Sequence, residues 1–316
     1  MYKGKKICVV IPAYKVSRHI SSVVSGIPKY VDNVIIIDDC CPEQSHKSVT
    51  KTKRIQIINH QSNQGVGAAV ISGYRQAIKN NFDVVVKVDG DGQMDPENIC
   101  LLLDQIIDKG YDYSKGNRFN DLSLLKNMPI ARLLGNSLLS FLVKFASGFW
   151  NIMDPTNGFV AISNRALNIL NLDKISKRYF FESDMLINLN IYNCPVVDVP
   201  MKPIYKNEKS SLSISKSIFE FPFKLLKGLI KRILYKYFLF DFNMASIYML
   251  FGIPMLVFGT IFGLYIWYIS GINNIETPLG TIMLSAINII LGMQFLLQAL
   301  AIDIANIPKV KDDHRE

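Results

Sequence analysis

A chain of 316 residues with 49% hydrophobic content is long enough for one large domain plus an appendage, and its mean hydropathy of +0.20 is high for a purely soluble protein. Its net charge of +9 would suit nucleic acid, but Lys and Arg gather from Lys202 to Lys236 and again at Lys309, Lys311 and Arg315, beside two apolar stretches. Anionic lipid headgroups explain that placement more simply, so membrane lipids are expected partners and nucleic acid is not. Five cysteines (Cys8, Cys40, Cys41, Cys100, Cys194), an odd number without CxxC spacing, read as reduced thiols and exclude a disulfide framework or zinc site.

In chain order, short β-branched runs alternate with helical patterns, the signature of a parallel sheet with helices on its faces. Strands are predicted at Ile7 to Ile11, Val34 to Ile37, Ile55 to Ile58 and Val84 to Val88. Between the first two, Ile20, Val23, Val24 and Ile27 fall at helical spacing, with Ser17 as N-cap. Asp95-Pro96-Glu97 caps a further helix whose Ile99, Leu102, Leu103 and Ile106 share one face. A helix is expected over Ile130 to Phe145. From Ser213 to Asp241 a basic amphipathic pattern puts Lys224, Lys227 and Lys231 on one side and Leu225, Leu226, Leu229, Ile230 and Ile233 on another, as in a helix lying among headgroups; a helix packed on its own domain has the same periodicity. Met244 to Ile272 and Pro278 to Ile302 contain no Lys or Arg, and each is long enough to span a bilayer. The loop between them carries only Glu276, so the positive-inside rule places both ends of the hairpin, and with them the N-terminal domain, on the cytoplasmic side of a plasma (inner) membrane.

Ligands of open parallel sheets bind at the carboxyl ends of the strands. Here those ends read Pro12-Ala13-Tyr14, Asp38-Asp39 and Asp89-Gly90-Asp91-Gly92-Gln93, a set suited to a nucleobase, a ribose and a metal-chelated diphosphate. Asp89 and Asp91 can face one hard divalent cation, Mg²⁺ or Mn²⁺, with Gln93 adding an amide oxygen; an Asp-x-Asp pair is also common in plain turns. Asp38-Asp39 also suits a cap or turn, which accounts for one acid more readily than two. Gly65 and Gly67 lack the third glycine of a dinucleotide fingerprint and suit close backbone packing or a phosphate approach.

Val9 to Tyr14, Ile36-Ile37-Asp38-Asp39 and Asp89 to Glu97 together resemble family 2 glycosyltransferases of the GT-A fold. With Gly116-Asn117-Arg118 and Asp154 to Phe159, the pattern is similar to the branch containing dolichyl-phosphate mannose synthase and bacterial polyprenyl-phosphate glycosyltransferases. The resemblance covers roughly residues 6 to 240. It implies an α/β GT-A nucleotide-diphospho-sugar transferase fold, Rossmann-like with a mostly parallel sheet, ahead of the C-terminal two-helix transmembrane hairpin. It also implies inverting chemistry, base and ribose contacts from Tyr14 and one of Asp38 or Asp39, and a metal on Asp89, Asp91 and Gln93. Lys15-Val16 stands where the family often has Asn-Glu, and Val160 where many relatives carry Arg.

A lipid phosphate acceptor has a second pKa near 6 and is largely deprotonated at pH 7, so it needs cations more than a base. Arg118 and Arg132 are the expected clamp, with Asn136 and Lys209 as lesser candidates; Arg132 could equally lie on a solvated helix face. A sugar hydroxyl would instead need a carboxylate base, for which Glu182, Asp184 and Asp154 are available, each also suited to a structural role. The expected organisation is a catalytic domain over residues 1–212, juxtamembrane helices over 213–241, two transmembrane helices over 242–305 and a cytoplasmic tail over 306–316. The expected reaction is metal-dependent transfer from a nucleotide sugar to polyprenyl (undecaprenyl or dolichyl) phosphate. Its rivals are transfer to a hydroxyl of a lipid-linked saccharide and a non-catalytic membrane scaffold. Two spans with Asn288, Gln294 and Gln298 as their notable polar residues offer too little for a transport pathway unless the chain forms a homo-oligomer.

Overall fold

The computed structural model describes residues 1–50, 52–119, 130–201 and 214–310, apart from the side chains of 130–134, 136 and 214–219. The described chain divides into two compact units, one of Met1–Arg232 with Pro308–Glu316 and one of Ile233–Ile307.

The first unit is built on a seven-stranded sheet of order β3-β2-β1-β4-β6-β5-β7. Its strands are β1 Ile7–Ala13, β2 Asn33–Asp38, β3 Ile55–Asn59, β4 Val84–Lys87, β5 Tyr113–Asn117, β6 Val160–Ser163 and β7 Val196–Pro200. The β3-β2-β1-β4 half is parallel, as the β-branched runs lead one to expect. β6 runs antiparallel to both β4 and β5, and β5 pairs parallel with β7, so the sheet is mixed. Register decides what meets at its carboxyl end. Ala13 lies beside Asp38, and Lys87 lies beside Val160, so two residues farther on Gly158 faces Asp89.

Helices α1 Ile20–Gly26 and α3 Ile99–Ile107 cover one face of the sheet. The α3 residues Ile99, Leu102, Leu103 and Ile106 are all buried in a core with Val9, Ile11 and Val86, as their spacing requires. α2 Val66–Lys79 covers the other face. It approaches closely because Gly73 lacks a side chain: a Cβ there would lie 2.3 Å from Val10 Cγ1. Asp95 accepts from Glu97 N at 3.0 Å and Pro96 opens the short turn into α3, as expected of that cap. Ser17 is a correction. α1 begins at Ile20 behind His19 with no side-chain cap, and Ser17 Oγ donates instead to Glu43 at 2.7 Å.

Further helices of the unit are α4 Ile130–Ser147, α5 Asn164–Ile169 and α6 Phe181–Ile191. α7 Ile214–Ile233 turns two different faces. Leu225 and Arg232 are buried, and Gly228 sits against Ile187. Arg232 donates to the carbonyls of Ala146 (2.9 Å) and Phe145 (3.2 Å), satisfying acceptors that the end of α4 would leave open. On its other face Phe223, Leu226 and Ile230 are exposed. The helix thus packs on its own domain and keeps an apolar face outside.

The second unit is a hairpin of α8 Met244–Asn273 and α9 Leu279–Ala305, with mean hydropathies of 2.0 and 1.8 over their most apolar windows. Both are long and apolar enough to cross a membrane. Asn243 and Ser246 form a capping box at the start of α8. Gly252, Gly259, Gly263 and Gly292 let the helices pack closely: a Cβ at Gly259 would lie 2.9 Å from the backbone of α9 at Ser285 and Ile289. Ser285 Oγ adds a hydrogen bond to Gly259 O at 2.8 Å. Before α8, Tyr237 donates its hydroxyl to the buried Asp303 at 2.6 Å.

Candidate active site

At the carboxyl end of the first strands, Pro12 and Ala13 complete β1 and are buried, while Tyr14, the next residue, is 43% exposed and available for a planar ligand. Asp38 and Asp39 are buried side by side and carry separate duties. Asp38 accepts from Cys41 N (2.7 Å) and lies 2.5 Å from His46 Nδ1. Asp39 accepts from Gln64 N (2.9 Å) and Gly65 N (2.8 Å), and lies 2.7 Å from His60 Nδ1, whose other nitrogen meets Ser72 Oγ. Asp39 therefore fixes the loop between β3 and α2. Gly65 needs φ +101° there, and a Cβ would lie 2.7 Å from Lys177 O. Gly65 and Gly67 serve close packing against residues 176–178. The two histidines were not legible as partners, since nothing in the spacing of His46 and His60 ties them to strand β2.

The turn after β4 holds Asp89, Asp91 and Gln93, with Asp91 Oδ1 accepting from Gln93 N at 3.0 Å. Beneath it lies Lys87, the residue that reading the motif missed. Its side chain is 1% exposed; Nζ is 2.8 Å from Asp89 Oδ1 and 3.2 Å from Glu182 Oε1, and donates to Gly158 O at 3.2 Å. Burial alone would lower the Lys87 pKa, but Asp89 and Glu182 outweigh it and raise it, so the ammonium stays charged. Gly158 closes this cluster, because a Cβ there would lie 2.3 Å from both Asp89 Oδ2 and Lys87 Nζ. The only sequence signal for Lys87 is a lysine inside an otherwise apolar strand.

Next to it, Arg118 makes a two-pronged ion pair with the fully buried Asp154, Nε at 2.7 Å and Nη2 at 3.0 Å, and its backbone N adds a third bond at 3.2 Å. Asp184 accepts from Ser176 N (2.7 Å), Ser176 Oγ (2.8 Å) and Asn188 Nδ2 (3.0 Å), so its carboxylate organises the entry to α6. Arg132 and Asn136 lie on helix α4, but their side chains fall outside the described residues, as does Lys209 altogether. Behind Asp154, burial pushes Lys115 down to about 8 against the pull of Asp154, Glu182 and Asp198, and pushes Asp198 up to about 6 despite the Met153 N–H that it accepts. Because the folded pKa of Asp198 exceeds the ordinary 3.8, the native state holds the extra proton and its stability falls as pH rises from about 4 through 6. Asp198→Asn should therefore stabilise the fold more at pH 7 than at pH 4, by up to about 3 kcal/mol in chemical denaturation; an equal effect at both pH values would sink that assignment.

Two carboxylates and an amide oxygen on one turn fit a small hard cation of the kind that keeps waters and leans on a substrate's phosphates. Among the described residues no group of three or more His, Cys, Asp or Glu side chains is placed to hold a metal ion by itself. A cation on this turn would therefore take much of its coordination from a diphosphate and water rather than from the protein.

Residues 8–170 match the model of the family described as Glycosyl transferase family 2. The chain is 31% identical over 218 residues to UDP-N-acetylglucosamine--dolichyl-phosphate N-acetylglucosaminyltransferase of Methanococcus voltae, covering 64% of this chain and 86% of that protein. It is 26% identical over 201 residues to polyprenol monophosphomannose synthase of Mycolicibacterium smegmatis, covering 61% and 75%. Among solved structures it is similar to glucosyl-3-phosphoglycerate synthase from Mycobacterium tuberculosis, a complex with Mn²⁺, uridine diphosphate and phosphoglyceric acid, with TM-score 0.55 and 16% identity over 72% of this chain and 78% of that one. That last likeness is one of fold.

Proposed function

We propose that this chain, which belongs to glycosyl transferase family 2, moves a sugar from a nucleotide-sugar donor to a polyprenyl phosphate at a membrane. The observation that carries the reading is the presence in one chain of the Asp89–Gln93 turn at the carboxyl end of the sheet and of two helices able to cross a bilayer. Relatives named for transfer to dolichyl phosphate and for polyprenol monophosphomannose synthesis support it.

In this reading Tyr14 stacks on the base, Asp38 and Asp39 shape the ribose end of the site, and Asp89, Asp91 and Gln93 hold Mg²⁺ or Mn²⁺. When bound, the cation stabilises the charge that develops on the departing nucleoside diphosphate. The chain's own residues favour a phosphate acceptor. A hydroxyl acceptor needs a carboxylate free to take a proton, yet Glu182 is paired with Lys87 and Asp184 is occupied by Ser176 and Asn188. A phosphate arrives already deprotonated and asks for cations, for which Arg118, itself paired with Asp154, and Arg132 on α4 are the candidates. Purified protein in detergent, given a panel of nucleotide sugars and polyprenyl phosphate, should form a glycosyl phospholipid. Transfer to a lipid-linked saccharide and none to the phosphate would replace this reading with its rival.

The hairpin is proposed to enter and leave the membrane from the cytoplasmic side, since the segment before α8 and the segment after α9 are both basic while residues 271–280 carry only Glu276. A cysteine introduced at Asn274 should react with an impermeant thiol reagent added to intact cells. Protection there, with labelling of a cysteine at Lys309, would reverse the orientation.

A further inference from the structure

The Lys87 ammonium is a buried charge of the site that the transfer reaction itself does not require. It lies under the turn proposed to hold the cation, in contact with one of the two carboxylates of that turn. We infer that Lys87 sets the order in which the site is loaded, weakening the hold of the Asp89–Gln93 turn on a bare divalent cation and strengthening its hold on the cation together with a nucleoside diphosphate. The inference rests on the metal-dependent reading above and goes beyond it.

The argument is one of charge and geometry. Asp89, Asp91 and Glu182 bring three negative charges to this corner, and Lys87 returns one positive charge at 2.8 Å from Asp89 and 3.2 Å from Glu182. A dication approaching the turn must share Asp89 with a cation that cannot retreat. Lys87 is 1% exposed, its Nζ is held by Gly158 O, and Gly158 leaves no space beside it. With two carboxylates on the turn and Asp89 shared with Lys87, a bare cation gains little. A cation that brings a diphosphate fares differently. The phosphates supply the missing ligands, and the same ammonium offsets the repulsion between the diphosphate and the three acids. Removing Lys87 takes one positive charge from a corner that is already net negative, which favours the free metal and disfavours the anionic nucleotide. Lys87 touches neither substrate in this account; it is a positioning residue that acts through Asp89.

The test is calorimetric titration of the full chain in detergent with Mn²⁺ alone, and with Mn²⁺ in the presence of uridine or guanosine diphosphate. For Lys87→Met the two affinities should move in opposite directions: about tenfold tighter for Mn²⁺ alone and about tenfold weaker for the nucleotide in the presence of Mn²⁺. Glu182→Gln, which leaves the ammonium less compensated, should weaken Mn²⁺ alone without a matching loss of nucleotide binding, and it keeps the idea testable if Lys87→Met does not fold. Affinities that fall together in Lys87→Met would make the lysine a plain structural support and overturn the inference. Wild-type protein that binds no Mn²⁺ even with either nucleotide would overturn the metal reading itself and the inference with it.

Discussion

Asp91→Asn should lower kcat/KM for transfer by about a hundredfold or more while leaving the fold intact. The reason lies in what the substitution keeps. Asp91 Oδ1 accepts from Gln93 N, and the amide oxygen of asparagine can accept the same bond, so the turn keeps its shape. What disappears is one of the two carboxylate charges on the turn that the cation would need. Treatment of the wild type with EDTA should produce a comparable loss, restored by excess Mg²⁺ or Mn²⁺. Circular dichroism and thermal unfolding of the variant should match the wild type. Undiminished transfer by the variant, or by the chelated wild type, would remove the metal from Asp89, Asp91 and Gln93.

The sequence showed some of this and concealed the rest for physical reasons. Strands β1, β2 and β4 are buried along almost their whole length and read as mostly β-branched runs, and the half-buried edge strand β3 keeps Ile55, Ile57 and Ile58, so the hydropathy of all four is plain. β5, β6 and β7 are not. β5 reads Tyr-Ser-Lys-Gly-Asn, β6 is the short run Val-Ala-Ile-Ser, and β7 carries Asp198. Short or polar strands of that kind are set by their partners in the sheet rather than by their own pattern. The same contrast holds at the site. Asp89, Asp91 and Gln93 are found from sequence because they follow directly on a strand and lie within five residues of one another. The Lys87–Glu182 and Arg118–Asp154 contacts join positions 95 and 36 residues apart, and the placement of α6 and the antiparallel pairing of β5 with β6 bring them together. Sequence also assigned Asp184 and Arg118 by residue type, whereas their roles depend on which donors and acceptors already surround them.

Arg118→Ala should cost stability as well as transfer, and the two losses can be told apart. Asp154 is fully buried, and the guanidinium supplies two of its hydrogen bonds; the backbone N of Arg118 and the weak contact from Thr156 do not replace that charge. The Arg118 side chain is 36% exposed and Lys115 lies near Asp154, so losing the guanidinium from this half-buried pair should cost about 1–3 kcal/mol of unfolding free energy, which should appear as a drop in Tm. If Arg118 also clamps the acceptor phosphate, kcat/KM for polyprenyl phosphate in the folded fraction should fall by a further ten- to hundredfold, in line with a lost charge-assisted hydrogen bond of about 1.5–3 kcal/mol. Donor hydrolysis in the absence of acceptor should change much less. Asp184→Asn supplies the contrast: one amide oxygen can still accept from Ser176, so the helix entry should survive and transfer should decline only modestly. Should Asp184→Asn abolish transfer while Arg118→Ala leaves acceptor kinetics untouched, the nucleophile needs a base rather than a clamp. The acceptor would then be a hydroxyl on a lipid-linked saccharide.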